Sequence, residues 1–181
     1  MGKVVALTGP PRSGKTTVMV RLVNGLRTKG VMVGGMITSE LTEGGSRTGF
    51  RVTDVSTGRS GTLAKVGPGD GPRIGKYVVD RAGLEDVGVV AIRNAVERSE
   101  VIAIDELGPM ELTSQAFVEA VEAALSSGKP VVLTLHWRAT HPLLDRVRGE
   151  CRGEIMTVSP SNRTELAEDL ESQIMQALSK G

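Results

Sequence analysis

The chain has almost nothing with which to cross-link itself and little on which anything could stack. Its one cysteine, Cys151, excludes an internal disulfide, and no cysteine or histidine spacing fits a structural zinc site. Four aromatic residues, Phe50, Tyr77, Phe117 and Trp137, serve all 181 positions, so a stacking platform for single-stranded nucleic acid is poorly supplied. Neither sign of charge dominates: 22 lysines and arginines face 21 aspartates and glutamates, which excludes a strong overall field toward nucleic acid or anionic lipid. No apolar run approaches the ~20 residues of a membrane span, and the run after Lys3, about five residues, is too short for a secretory leader. These absences point to a reducing cytoplasm, with no membrane partner and nucleic acid a poor candidate partner. Nothing in the sequence assigns an oligomeric state.

With rings scarce, the core has to be valine, leucine, isoleucine, alanine and methionine. The length fits a single domain over residues 1–181, able to bury about 70% of its unfolded surface. Short β-rich runs alternate with helical patterns, which predicts an α/β fold of three layers: a mainly parallel sheet with helices on both faces. The strands are read at 3–8 (KVVALT), 31–38 (VMVGGMIT), 101–106 (VIAIDE), 131–136 (VVLTLH) and 154–159 (EIMTVS). Between the first two, Val18, Leu22 and Leu26 recur every fourth residue in a helix that stops near Gly30. A helical segment covers roughly 84–98, and Ser114 caps another whose face is Phe117, Val121 and Leu125. In the last helix Asn162 and Glu165 have capping-box spacing, and Leu166, Leu170, Ile174 and Leu178 form its stripe.

Residues 39–80 interrupt the alternation. GFRVTDV and RSGTLAKV, joined by STG, predict an antiparallel hairpin around residues 48–66, inserted at one side of the sheet. The glycine-rich segment 67–80 reads as a mobile loop rather than a structural element.

The densest chemical signal is GPPRSGKT. Gly9, Pro10, Pro11, Arg12, Ser13, Gly14, Lys15 and Thr16 match G-x-x-x-x-G-K-[ST] between a strand and a helix, the context that the phosphate-binding loop requires. Successive backbone N–H groups and the positive end of the helix dipole then face a concavity that suits phosphate oxygens. Lys15 reaches the β and γ phosphates, and Thr16 offers a hydroxyl to Mg2+. The competing reading, a glycine turn that only caps a helix, leaves eight fixed positions unexplained.

A second carboxylate for that metal stands at the end of VIAIDE, where ligands of open α/β sheets bind. Asp105 is the expected metal acid. Glu106 is then available to orient a water and accept its proton; the alternative is a solvated acid opening a helix. Three roles are open for Glu111: supporting the lysine, touching the attacking water, or forming a surface pair. His136 closes the neighbouring strand, either sensing the γ phosphate with Arg138 neutralising charge, or only hydrogen-bonding a loop. Packing is the expected role of Trp137, with stacking on a base the alternative; His141 is expected to be structural, and Arg146, Arg148 and Arg152 to form a solvated basic face, with a phosphate contact the alternative.

Taken together, GPPRSGKTT, GFRVTDVSTGRSGTLA, IGKYVVD, IDELGPMEL, HWRATHPLLDRV and SNR resemble, over nearly the whole length, the small nucleoside-triphosphatase family of archaea and thermophilic bacteria. That family is related to the vertebrate cancer-related nucleoside triphosphatase. The resemblance implies a RecA-like P-loop fold and slow, Mg2+-dependent hydrolysis of ATP, GTP and other nucleoside triphosphates, CTP, UTP and deoxy forms among them. It extends the nucleotide-binding set to Thr17, Leu107, Gly108, Asn162 and Arg163. One position departs from the family pattern. Where members usually carry lysine before the methionine of the acidic motif, this chain has Pro109, so any phosphate contact of that lysine is either absent here or taken by a nearby arginine such as Arg12 or Arg138. A nucleotide or nucleoside kinase and a nucleotide-dependent switch are the competing functions.

Overall fold

The first strand sets the frame. In the computed structural model, which describes residues 2–151 and 154–181, β1 (Val4–Thr8) sends Val5 and Leu7 to one face of a sheet and Val4 and Ala6 to the other, all buried. A strand covered on both faces has no polar side to show, so its sequence is a continuous apolar run. Around it lie β2 (Val33–Glu43), β7 (Val101–Leu107), β8 (Val131–Leu135) and β9 (Ile155–Thr157), paired in parallel in the order β2-β7-β8-β1-β9.

Helices close both faces, giving the three layers read from the sequence. On one side α1 (Lys15–Thr28) and α6 (Arg163–Ser179) bring Val18, Leu22, Leu26, Leu170 and Ile174 onto Val5, Leu7 and Val132. On the other, α3 (Val90–Arg98), α4 (Gln115–Ser126) and α5 (Pro142–Glu150) bring Ile92, Phe117, Val121 and Leu144 onto Ala6, Ile102 and Leu133. Each such side chain contributes roughly 1.5–3 kcal/mol by leaving water. Ser114 caps α4 as expected, its Oγ accepting from the Phe117 N–H at 3.1 Å.

The inserted hairpin is present as β3 (Ser46–Asp54) and β4 (Ser60–Val66), but the insertion is larger than 48–66. β2 does not stop at residue 38. Its far half runs on to Glu43 and pairs antiparallel with β3, so the segment EGGS is itself a hairpin turn. Nor is 67–80 a featureless loop: β5 (Arg73–Ile74) and β6 (Tyr77–Val79) extend the sheet to nine strands among the described residues, ordered β5-β6-β4-β3-β2-β7-β8-β1-β9. The reason is burial. Tyr77, Val78 and Val79 are a β-favouring triplet that covers the end of the core, and their pairing with β4 outweighs the glycines before them.

The helix expected over 84–98 starts earlier, with α2 (Arg81–Gly83) and a π-helical turn at Leu84–Val89 leading into α3. At α6 the capping box does not form. Asn162 makes no cap with its side chain; Oδ1 accepts from the Ser159 N–H at 2.8 Å and Nδ2 donates to the Thr157 carbonyl at 2.9 Å, bracing the preceding turn instead.

Candidate active site

At the end of β1 the chain folds back on itself. Arg12 takes a left-handed conformation (φ 62°), the Ser13 N–H donates to the Pro10 carbonyl at 3.2 Å, and Gly14 (φ 107°) turns directly into α1. A side chain at Gly14 would lie 2.8 Å from Arg163 Cδ, so the loop is closed above by the start of α6. α1 has no side-chain cap and no acid in its first turn, and its first N–H groups therefore remain available to an anion. Lys15 is buried; its Nζ donates to the Gly9 carbonyl at 2.7 Å and stands 3.8 Å from Glu106 Oε2. Among the described residues the Ser13 hydroxyl is the one buried side-chain polar atom without a partner. An orphaned hydroxyl inside a cradle of amides is what a phosphate oxygen satisfies.

β7 delivers the acids between two threonine-bearing neighbours. Asp105 is wholly buried, accepting from Thr16 Oγ1 at 2.8 Å and Thr38 Oγ1 at 3.5 Å on Oδ2, and from Thr134 Oγ1 at 2.5 Å on Oδ1. Burial pushes its carboxyl upward against those hydrogen bonds and Lys15. Glu106 is raised to about 7, chiefly by burial and secondarily by Asp105, with Lys15 opposing. Glu111, on the turn after β7, is raised to about 8 by burial and then by Glu106. It is only 5% exposed, so the surface-pair reading falls. The carboxylates of Glu106 and Glu111 flank Gly108, each with an oxygen 3.1 Å from where a Cβ there would sit.

The other expected site residues divide. Pro11 to Thr17, Glu106, His136 and Arg163 line one cavity of about 620 Å³. Gly9 and Pro10 take part through their carbonyls, which hold Lys15 and Ser13. Leu107 belongs to the hydrophobic core, and its carbonyl accepts from the His136 N–H at 3.0 Å. His136 also binds its own loop, Nδ1 accepting from the N–H groups of Arg138 and Ala139 at 3.2 and 3.1 Å. Burial, then Lys15, lowers its pKa. Arg138 is exposed and not among the residues of the cavity wall, which carries Arg12, Arg47 and Arg163 beside Lys15. Trp137 is not packed away; it is 42% exposed at the cavity. His141 caps α5 through Nδ1, and Arg146 and Arg148 pair with Glu150 and Asp145, while Arg152 lies outside the described residues.

Sequence reasoning missed Thr38, Thr134 and a wall of Phe50, Leu63, Ile74 and Tyr77 that completes the cavity. Only the order of strands could have revealed them, since each comes from a different strand or turn of the sheet.

Comparison with known proteins bears on this arrangement. The profile of a family described as NTPase matches residues 4–171. A nucleoside-triphosphatase THEP1 from Thermofilum pendens is 52% identical over 171 residues, covering 93% of both chains. Another from Methanosarcina acetivorans is 44% identical over 176 residues, covering 96% of this chain and 98% of the relative. Among solved structures, a human cancer-related nucleoside triphosphatase superposes with a TM-score of 0.78 at 34% identity, over 97% of this chain and 98% of that one. THEP1 from Aquifex aeolicus superposes with a TM-score of 0.83 at 26% identity, over 94% and 98%.

Proposed function

This chain belongs to the NTPase family, and on that premise we propose that it hydrolyses nucleoside triphosphates to the diphosphate and phosphate, with Mg2+ as its metal and little selection among bases. ATP, GTP, CTP, UTP and their deoxy forms are the expected substrates. The observation that carries this reading is the convergence of the amide cradle with Asp105 and Glu106: Thr16 is bonded to one acid and Lys15 stands beside the other.

The phosphates lie on the N–H groups of Gly14 to Thr17, where Ser13 and Arg12 add a hydroxyl and a positive charge. Lys15 swings from the Gly9 carbonyl to the β and γ oxygens. Thr16 and Asp105 present two hard oxygens at one point, and no trio of acids, histidines or cysteines competes for a metal among the described residues. That donor set suits Mg2+, which Thr16 and Asp105 would hold and which would supply Lewis-acid stabilisation of charge on the γ phosphate. Glu106 orients a water on the far side of the γ phosphorus and takes its proton, a contribution of roughly 10²–10⁴ in rate. His136, with Nδ1 occupied by its own loop, has Nε2–H left to donate to the cleaved group. Glu111 packs behind Glu106 and keeps the pair from both ionising freely. A cytoplasmic location fits the lone buried cysteine, and no described helix is long and apolar enough to cross a membrane.

The decisive experiment pairs calorimetry with phosphate release. Glu106→Gln retains triphosphate binding and loses turnover, whereas Lys15→Ala weakens both. Unaltered release by the Glu106→Gln protein rules out the water-activating role.

A further inference from the structure

The cavity of about 620 Å³ is shared between the P-loop and the inserted strands. The order of the strands says which part lies beyond the phosphates. Arg163, following β9, covers Gly14 at one end; then come the P-loop at β1, His136 at β8, Glu106 at β7 and Thr38 on β2; beyond them stand Phe50 on β3, Leu63 on β4 and Tyr77 on β6. A triphosphate whose γ group reaches Lys15 and Glu106 sends its nucleoside toward Arg163. The inserted strands therefore line space past the γ phosphate, on the side from which an in-line nucleophile must come.

That space has a chemical character. Phe50 and Tyr77 meet edge to face, their centroids 5.1 Å apart, with Leu63 and Ile74 beside them, so the wall suits a flat apolar ring. Arg47 lies over both rings, but its charge is spent: it is paired with Glu40 at 2.8 Å and donates to the Tyr77 hydroxyl at 2.8 Å. Lys76 Nζ stands 5.5 Å from the Tyr77 ring centroid but is not part of the cavity wall, so on this side a phosphorylated guest meets no unpaired cation among the described lining residues. Glu40, Thr38 and Ser39 supply polar atoms for hydroxyl and amino groups.

We propose that the inserted strands form an acceptor compartment for a neutral nucleoside, and that the enzyme transfers the γ phosphoryl group to it as well as to water. In the step, a nucleoside hydroxyl oxygen forms the new bond to the γ phosphorus as the bond to the β–γ bridging oxygen breaks. The bridging electron pair leaves with the nucleoside diphosphate, and the hydroxyl proton passes to the Glu106 carboxylate. The proposal rests on the triphosphate reading of the P-loop.

The test incubates the full chain with ATP labelled at the γ phosphate, Mg2+, and in turn each common ribo- and deoxyribonucleoside and its monophosphate, measuring both free phosphate and labelled organic phosphate. Labelled monophosphate from at least one nucleoside, growing as free phosphate falls, is the expected result. Phe50→Leu then lowers the ratio of transferred to released phosphate about tenfold, by losing the ring contact; Tyr77→Phe, which keeps the ring, restores most of a matching loss seen in Tyr77→Leu. Normal phosphate release with no labelled nucleoside product overturns the acceptor compartment and leaves the hydrolase reading standing. Preferred transfer to monophosphates overturns the neutral-guest assignment. Absence of both release and transfer overturns the two readings together.

Discussion

Thr16 Oγ1 donates to Asp105 Oδ2 at 2.8 Å, joining the start of α1 to the end of β7 across 89 residues. The contact places a helix-borne hydroxyl and a wholly buried carboxylate at one point beside the phosphate cradle.

Asp105→Asn tests that point. An amide is isosteric and still offers an oxygen to Thr134, so melting stability stays within about 1 kcal/mol. A neutral group holds Mg2+ poorly, and the concentration for half-maximal phosphate release rises at least ~10-fold. An unchanged Mg2+ titration would remove Asp105 from the metal site.

The pH profile reports on Glu106. A base must be ionised, and this one is raised to about 7, so log(kcat/KM) climbs with unit slope below pH about 7 and levels above it. The residual rate of Glu106→Gln shows no such limb. A wild-type profile flat from pH 5.5 to 8 would contradict the assignment.

Glu111 links pH to stability. Its carboxyl ionises at 4.5 unfolded and about 8 folded, so the neutral form is favoured in the native state. A raised folded pKa means that its contribution is complete below pH 4.5 and is lost as pH rises through about 8, at up to ~1.4 kcal/mol per unit between them. Glu111→Gln, permanently neutral, removes that slope, so in chemical denaturation the variant gains on the wild type as pH rises from 5 to 8. A constant difference would mean that Glu111 is charged in the fold.

Gly35 tests the crossing of β2 over β7. Its φ is 116°, and a Cβ would run into the carbonyl oxygen of Ala103 on the paired strand. Gly35→Ala is expected to cost at least ~2 kcal/mol. Gly149→Ala, in α5 with open space around it, is the control and is neutral or slightly stabilising. Similar melting of the two variants would place the β2–β7 contact in error.

Asn162 tests the turn beneath Arg163. Asn162→Ala breaks both hydrogen bonds to Thr157 and Ser159, loosening the segment that closes over Gly14. KM for triphosphate rises roughly fivefold and kcat changes little. A fall in kcat at constant KM would move this residue from binding to chemistry.

The features legible in the sequence are those written in consecutive residues. The phosphate loop needs glycine, lysine and threonine at fixed offsets between a strand and a helix, and the apolar runs of β1, β7 and β8 announce strands buried on both faces. Where local signals compete, as at residues 67–80, composition misled: glycines marked a loop, and three residues of burial made a strand.

Amino-acid order alone determined the layered α/β fold, the cradle at Gly9–Thr16 and the acidic pair at the end of a strand, because spacing along the backbone suffices for each. Which threonines hold Asp105, how deeply Glu111 is sunk, that Arg138 is exposed, and that inserted rings wall the cavity were decided by the tertiary structure. Those relations join residues from β2, β3, β4, β6, β7 and β8, and it is the order of strands in the sheet, set by long-range packing, that makes them neighbours.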